Sequence, residues 1–489
     1  MKYKNISIWS DAKQENVCEN LSSNIDVDVL IIGGGITGLS TAYHLINSNL
    51  KVCLVDKNEI ASGVTCRTTG KLTYLQENIL SKVAKYHGIS KAKDYLDSQI
   101  DAINLVKAII TKENISCDLQ EVSSYIFSND KVNKIKKEMD LLNKLNVKLE
   151  PATTLPNGKC FNYGFFVKDT YVFHPIKYLH AIKNICLNNN INIYENTKVI
   201  SINYENSIYE CVTETGTIKA KYVVLAMHYP YFLFPFLLPL KTTIEKSYIK
   251  AYEVSCDNKF SAITISKPTI SMRFHQTKDK CYQLYLNNSH NSCVKFNDKE
   301  CFKDLTNVNN QEPEYLWSNK DIITNDALPF IGPIDDTNTL LIGTGYNTWG
   351  MTNGSIAGKI LSDIILNKEN KYVKLFSPKR SLNLGKIINL PVSIGSSACA
   401  IVKTKIHKNK EWYPDNVRFE TRKGKNIAIY TDENKKEHIV YNICPHLKCS
   451  LLFNDVEKTW DCPCHGSRFD IDGNTIEGPS NYNITYKDN

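Results

Sequence analysis

The 489-residue sequence has no block of like charges, no basic segment leading into an apolar one near its start, and no membrane-length apolar run free of helix breakers. Each absence narrows the field. The balance of 59 basic against 51 acidic residues leaves a net charge of +8, but it is spread along the chain. Nucleic-acid proteins concentrate their charge in a patch, so no nucleic-acid partner is expected. The first 26 residues are polar and carry Asp11, Glu15 and Glu19, so no secretory leader is expected and the cytoplasm is the expected compartment. The most apolar stretch, residues 222–240, contains His228 and is broken by Pro230, Pro235 and Pro239. It reads as a buried strand followed by an apolar loop, not as a transmembrane segment. With 42% hydrophobic and 22% charged residues, the chain is neither collagen-like, coiled-coil nor disordered. Its length implies roughly two to four domains.

What is present begins at residue 27. The run VDVLII leads into GGGITG, and Leu39, Ala42, Leu45 and Ile46 then recur at helical spacing, which reads as strand, glycine turn and helix. Gly33, Gly35 and Gly38 form the G-x-G-x-x-G pattern: tight turn, backbone approach to a pyrophosphate, and close packing of helix on strand. The phosphates would meet the helix N-terminus. A second apolar run, residues 52–55, ends at Asp56, placed to accept hydrogen bonds from ribose hydroxyls and to disfavour a 2′-phosphate. The bland alternative is a glycine turn without a ligand. Residues 339–366 later supply another strand, glycine-rich turn and amphipathic helix.

Taken in order, DVLIIGGGITGLSTAYHL, VDKNEIASGVTCRTTGKLT, AKYVVLAMHYP, ITNDALPFIG and GTGYNTWGMTNGSIAG resemble the FAD-dependent glycine/D-amino-acid oxidase family over most of residues 27–368. The resemblance implies an α/β fold: a Rossmann-like FAD-binding domain, built from about residues 27–110, 150–230 and 317–368, with a β-rich substrate domain between. It also implies flavin contacts at Lys57, Gly63, Thr65, Thr68, Thr69 and Lys71, at Val199 and Ala226, and at Gly345, Gly350, Met351 and Thr352. Some relatives attach the flavin through a histidine where this chain has Arg67, beside Cys66, so noncovalent FAD is expected. Relatives that take amino acids hold the substrate carboxylate with an arginine ahead of the D-x-x-P-x-x-G segment. Here YLWSNKDIITNDALPFIG has none. Arg273 remains as the catalytic-site candidate, with a structurally paired arginine as the alternative. His228 and His275 are unassigned.

Sixteen cysteines are many, but twelve are scattered singly from Cys18 to Cys399 and read as reduced, mostly buried thiols. The other four crowd into CPHLKC and CPCHGSRFD, within a β-rich segment that follows a small-residue linker at 369–409. Cys444 with His446 and Cys462 with His465 form a mixed sulfur and nitrogen set that suits zinc or a Rieske [2Fe–2S] cluster. Residues 410–489 resemble the Rieske domain, which implies the cluster as second cofactor and, as in respiratory-type members, a Cys449–Cys464 disulfide. A reduced pair is the alternative. Lys448 replaces a usual glycine, Ser467 keeps a hydroxyl for a cluster sulfur, and Phe469 replaces the tyrosine of high-potential relatives. A potential in the middle or lower part of roughly −150 to +300 mV is expected.

Together these features imply an enzyme: an FAD-dependent dehydrogenase that oxidises a small amine or amino-acid-like substrate. Single electrons would pass through the cluster and its exposed His446/His465 edge to an external acceptor. The alternative is a redox sensor or electron carrier without its own substrate.

Overall fold

Apolar runs with no polar alternation become strands covered on both faces. In the computed structural model, which describes residues 3–12, 17–230, 238–255, 259–266, 268–292, 298–303, 311–380, 413–446 and 448–487, Ile25–Ile32 lies between Val52–Val55 and Thr217–Leu225, all parallel. Asn192–Tyr194 extends one side. Leu340–Thr344 and then antiparallel Phe330–Pro333 extend the other, and a hairpin of Val199–Glu205 and Ile208–Thr213 completes eight strands. The helices Ile36–Leu45 and Gly350–Ile365 touch through glycine. A Cβ at Gly354 would lie 2.6 Å from Ile36 Cγ2, and one at Gly358 would lie 2.3 Å from Ser40 Cβ. This is the expected Rossmann-like layer, with a crevice at the C-terminal ends of its parallel strands.

A nine-stranded, largely antiparallel sheet forms the β-rich part. It takes residues that the sequence ranges put with the nucleotide layer. Cys160–Val172 pairs with both Gln120–Ser128 and Glu150–Thr154, and Tyr315–Thr324 pairs with Thr242–Val254 along ten register positions. Long cross-strand pairing outweighs nearness in sequence. The segment before residue 27 is also part of the fold, because Trp9 is fully buried and its Nε1 donates to the Thr68 carbonyl at 2.6 Å.

The first part of the expected 369–409 linker is packed into the fold. Val373–Phe376 is helical and buries Leu375 and Phe376, and Arg380 forks onto Asp326 at 2.7 and 2.8 Å. Residues 381–412 lie outside the described residues, as does the apolar loop at 231–237. Beyond them, a three-stranded and a four-stranded antiparallel sheet enclose a small core that includes Ala428, Val440, Leu451, Trp460 and Phe469. No helix among the described residues is long and apolar enough to cross a membrane.

Candidate functional site

The crevice of the parallel sheet opens into a long cavity lined by Gly33, Gly35, Asp56, Lys57, Gly63, Thr65, Thr68, Val199, Ala226, Gly350 and Met351. Gly33 has φ +112°, and a Cβ there would lie 2.8 Å from the Ala226 carbonyl oxygen. Gly38 sits behind the cavity, where its Cβ would fall 1.9 Å from the Gly33 oxygen, so helix and strand meet only because both residues are glycine. Gly38→Ala is therefore expected to abolish flavin retention, read as loss of the yellow chromophore on gel filtration.

Asp56 accepts from the Gly34 N–H at 2.7 Å and the Asn58 N–H at 2.9 Å. Burial raises its pKa, and these two donors oppose the rise. Two helices begin on this cavity without a side-chain cap, Ile36–Leu45 after Gly35 and Gly350–Ile365 after Trp349. Ile36 N–H donates to Thr65 Oγ1 at 3.4 Å, and the positive dipole ends of both helices suit a pyrophosphate and an anionic ring edge. The residues present thus fit an FAD-type dinucleotide.

Several expected contacts lie elsewhere. Thr69 and Lys71 line an adjoining second cavity. Gly345 and Thr352 line neither cavity: Gly345 makes a left-handed turn at φ +74° against Thr324, and Thr352 accepts from Gln76 Nε2 at 3.1 Å. The sequence reading missed Thr37 and Tyr346, whose hydroxyls are 2.7 Å apart on the cavity wall. It also missed Asn319 and Asp321, which line both cavities, and Glu477, Gly478, Ser480 and Asn481 of the C-terminal domain, which close the first. Thr37 lies within the glycine motif and was findable. The others carry no local signal.

Arg273 is corrected to a structural role. It is 1% exposed, and its Nε and Nη1 donate to the carbonyls of Phe274, Thr69, Gly70 and Phe173 at 2.8 to 3.0 Å, under the Trp9 ring. His275 packs against Trp9 and His174, where burial pushes its pKa down to about 2. His228 lines the first cavity with Nε2 buried and unbonded, and burial lowers its pKa. Lys71 Nζ donates to Ala262 O and Ser271 Oγ at 3.1 and 2.7 Å. Burial, with Arg273 nearby, pushes that ammonium down to about 7.

In the C-terminal domain, tight turns bring two loops together. Lys448 N–H donates to Cys444 O at 2.9 Å, and Gly466 N–H to Cys462 O at 3.1 Å. Lys448 itself is left-handed at φ +60°, which accounts for the glycine usual at that place. Cys449 and Cys464 are joined in a disulfide. Their sulfurs lie within 4.8 Å of Cys462, but that bond removes both as metal ligands. The remaining set converges: the Cys462 and Cys444 thiols are within hydrogen-bonding contact, and the His446 and His465 rings stand 5.0 Å apart. All four ring nitrogens are buried without a hydrogen-bond partner. Buried orphan imidazoles beside two buried thiols fit a Rieske-type cluster. Ser467 Oγ accepts from Ser480 N–H at 2.8 Å, leaving its own proton to donate, and buried Phe469 has no hydroxyl to add.

The His446/His465 edge was expected to face solvent; His446 is partly exposed, but His465 is turned inward. His465 is 5% exposed and packs 6.1 Å from the ring of Tyr229, which lines the first cavity. A charge network holds this docking. Glu457 pairs with Arg67 at 3.1 Å and Arg468 at 3.0 Å, while Asp461 pairs with Lys246 at 3.1 Å and Lys320 at 3.5 Å. Lys320 also donates to Gly466 O at 3.0 Å.

A dinucleotide crevice docked against a two-thiolate, two-imidazole pocket defines a flavin and iron–sulfur redox protein. Residues 28–273 match the family described as FAD dependent oxidoreductase, and residues 402–486 match the Rieske [2Fe-2S] domain. The chain belongs to that oxidoreductase family, binds FAD, and carries a C-terminal Rieske domain with a [2Fe–2S] cluster. It is 30% identical over 477 residues to YhfW of Bacillus subtilis (strain 168), named as a Rieske 2Fe-2S iron-sulfur protein, covering 94% of this chain and 93% of that one. It is 24% identical over 221 residues to gamma-glutamylputrescine oxidoreductase of Escherichia coli (strain K12), covering 42% of this chain and 50% of the relative. Among solved structures, glycine oxidase from Geobacillus kaustophilus shares the fold with a TM-score of 0.59 at 15% identity, over 73% of this chain and all of that one.

Proposed function

We propose that the protein oxidises a small amine or amino-acid-like substrate at noncovalently held FAD and delivers the electrons singly, through its cluster, to an external acceptor. The observation that carries this reading is His465 packed on Tyr229 at the wall of the dinucleotide cavity. It turns the cluster's imidazole edge toward the flavin site. Gly33, Gly35 and the helix behind them hold the pyrophosphate, and Asp56 keeps lone pairs for the ribose hydroxyls. Gly350 and Met351 face the ring edge. Cys444 and Cys462 ligate one iron, and His446 and His465 the other. When bound, the flavin supplies a two-electron acceptor and the cluster a one-electron carrier.

Noncovalent binding is supported by Arg67, which is committed to Ser318 O and Glu457, and by Cys66, whose thiol bonds Ser62 O at 3.4 Å. The Escherichia coli relative's name supports an amine as substrate. A cytoplasmic setting is supported by Cys53, Cys117, Cys186 and Cys211, buried thiols whose pKa burial pushes up to about 12.

The test is anaerobic mixing of the holoprotein with a panel of amines and amino acids. Bleaching of the flavin followed by the EPR signal of a reduced cluster is expected. Reduction by a protein donor alone would make the chain an electron carrier instead.

A further inference from the structure

The strands Thr242–Val254 and Tyr315–Thr324 pair antiparallel, with Glu245 opposite Asp321, Lys246 opposite Lys320 and Ser247 opposite Asn319. Side chains alternate along a strand, so this ribbon has two chemically opposed faces. One presents Lys246 and Lys320 to Asp461 of the Rieske domain. The other presents Glu245, Ser247, Asn319 and Asp321 to the second cavity.

That second face is built of acceptors. Asn319 donates Nδ2 to Asp321 Oδ2 at 3.0 Å, which leaves its Oδ1 pointing away from that bond. Asn319 Oδ1 and Ser247 Oγ are both buried with no hydrogen-bond partner, on residues 7% and 4% exposed. Buried polar atoms are nearly always satisfied, so this wall awaits a donor. Two carboxylates directly opposite on neighbouring strands, Glu245 and Asp321, repel each other and concentrate negative potential on this face. Burial, reinforced by Glu245 and Glu477, pushes Asp321 up to about 7. Glu77 adds a third carboxylate to the cavity. The cavity's own cations are committed: Arg67 to Glu457 and Ser318 O, and Lys71 to Ala262 O and Ser271 Oγ. A substrate carboxylate would find no uncommitted arginine here, since Arg273 is spent on backbone carbonyls.

We propose that Glu245, Ser247, Asn319 and Asp321 form an ammonium subsite, so that the second cavity selects cationic amines and does not require a substrate carboxylate. Asn319 and Asp321 line both cavities, which places the bound ammonium at their junction. This rests on the proposed amine oxidation at the flavin, takes the adjoining second cavity as the place where the substrate binds, and names the substrate class.

The test is calorimetric titration of the oxidised holoprotein with n-butylamine, n-butanol, butanoate and calcium, each alone. Only n-butylamine is expected to bind. Its affinity should fall roughly tenfold or more in Glu245→Gln, the scale of one lost charge-assisted hydrogen bond. A several-fold loss is expected in Ser247→Ala, a milder change that serves if Glu245→Gln folds poorly. Butanoate binding more tightly than the amine, calcium binding without the amine, or unchanged amine affinity in both variants would overturn the subsite. Amine binding without anaerobic flavin bleaching would uphold the subsite and remove the oxidation reading. Bleaching by carboxylate substrates, indifferent to Glu245→Gln, would do the reverse.

Discussion

Cys462→Ser is expected to leave a yellow protein without acid-labile sulfide and without the EPR signal of a reduced Rieske centre. Cys462 is 2% exposed and hydrogen-bonded to the free Cys444 thiol within the small C-terminal core, and no neighbouring sulfur can replace it, since Cys449 and Cys464 are already joined. A serine oxygen is a poor substitute for a thiolate on iron. Substrate should still bleach the flavin anaerobically, because both cavities lie outside the cluster loops. Turnover with an external one-electron acceptor should fall by more than the roughly 10- to 100-fold typical of changes beside a metal. Iron and sulfide analysis together with acceptor-linked turnover would check this. Unimpaired turnover in a cluster-free variant would show that the acceptor draws directly on the flavin.

The second large effect is expected from Glu457→Ala. Glu457 joins Arg67 of the flavin-binding part to Arg468 of the Rieske domain, and also accepts from Ser318 Oγ. Arg468 is 1% exposed and would keep Asp461 at 3.3 Å and Glu477 at 3.9 Å, so removing Glu457 leaves its buried charge only partly compensated. A loss smaller than the roughly 3–5 kcal/mol of a wholly stranded buried charge is expected, read as a lower denaturant midpoint for the holoprotein. The pH dependence has a definite sign. Burial alone would raise the Glu457 carboxyl, but Arg468, Arg67 and Lys246 outweigh it and hold its pKa well below the usual carboxylate range. Lys320, Lys246 and Arg468 do the same for Asp461. Both groups therefore contribute fully above the unfolded-state value of about 4, and the contribution fades as pH falls toward the depressed folded pKa. The stability of the docked pair should drop steeply on acidification below about pH 4. Glu457→Ala should flatten that fall. An acid limb of equal slope in variant and parent would assign it to other carboxylates.

Much of the redox chemistry was legible in short stretches of chain. The glycine turn, the acid at the end of the second strand and the paired Cys/His loops act through contiguous backbone, so their spacing already carries their geometry. The disulfide, implied by resemblance, joins residues only 15 apart. Arg273 failed as a substrate candidate because one arginine on a strand reads the same whether its partner is a ligand or four carbonyls. The burial of Trp9 was not legible, because a lone tryptophan among polar residues has no periodicity to reveal it.

The sequence by itself thus determined the two cofactor classes and the ligand set proposed for each, because tight turns and ligand spacing are local. Only the tertiary structure decided which way the cluster faces and what the second cavity offers a substrate. Glu457 meets Arg67 across 390 positions, and Glu245 meets Asp321 through sheet register. Contacts of that kind depend on how strands align and domains dock, for which no stretch of residues carries a signal of its own.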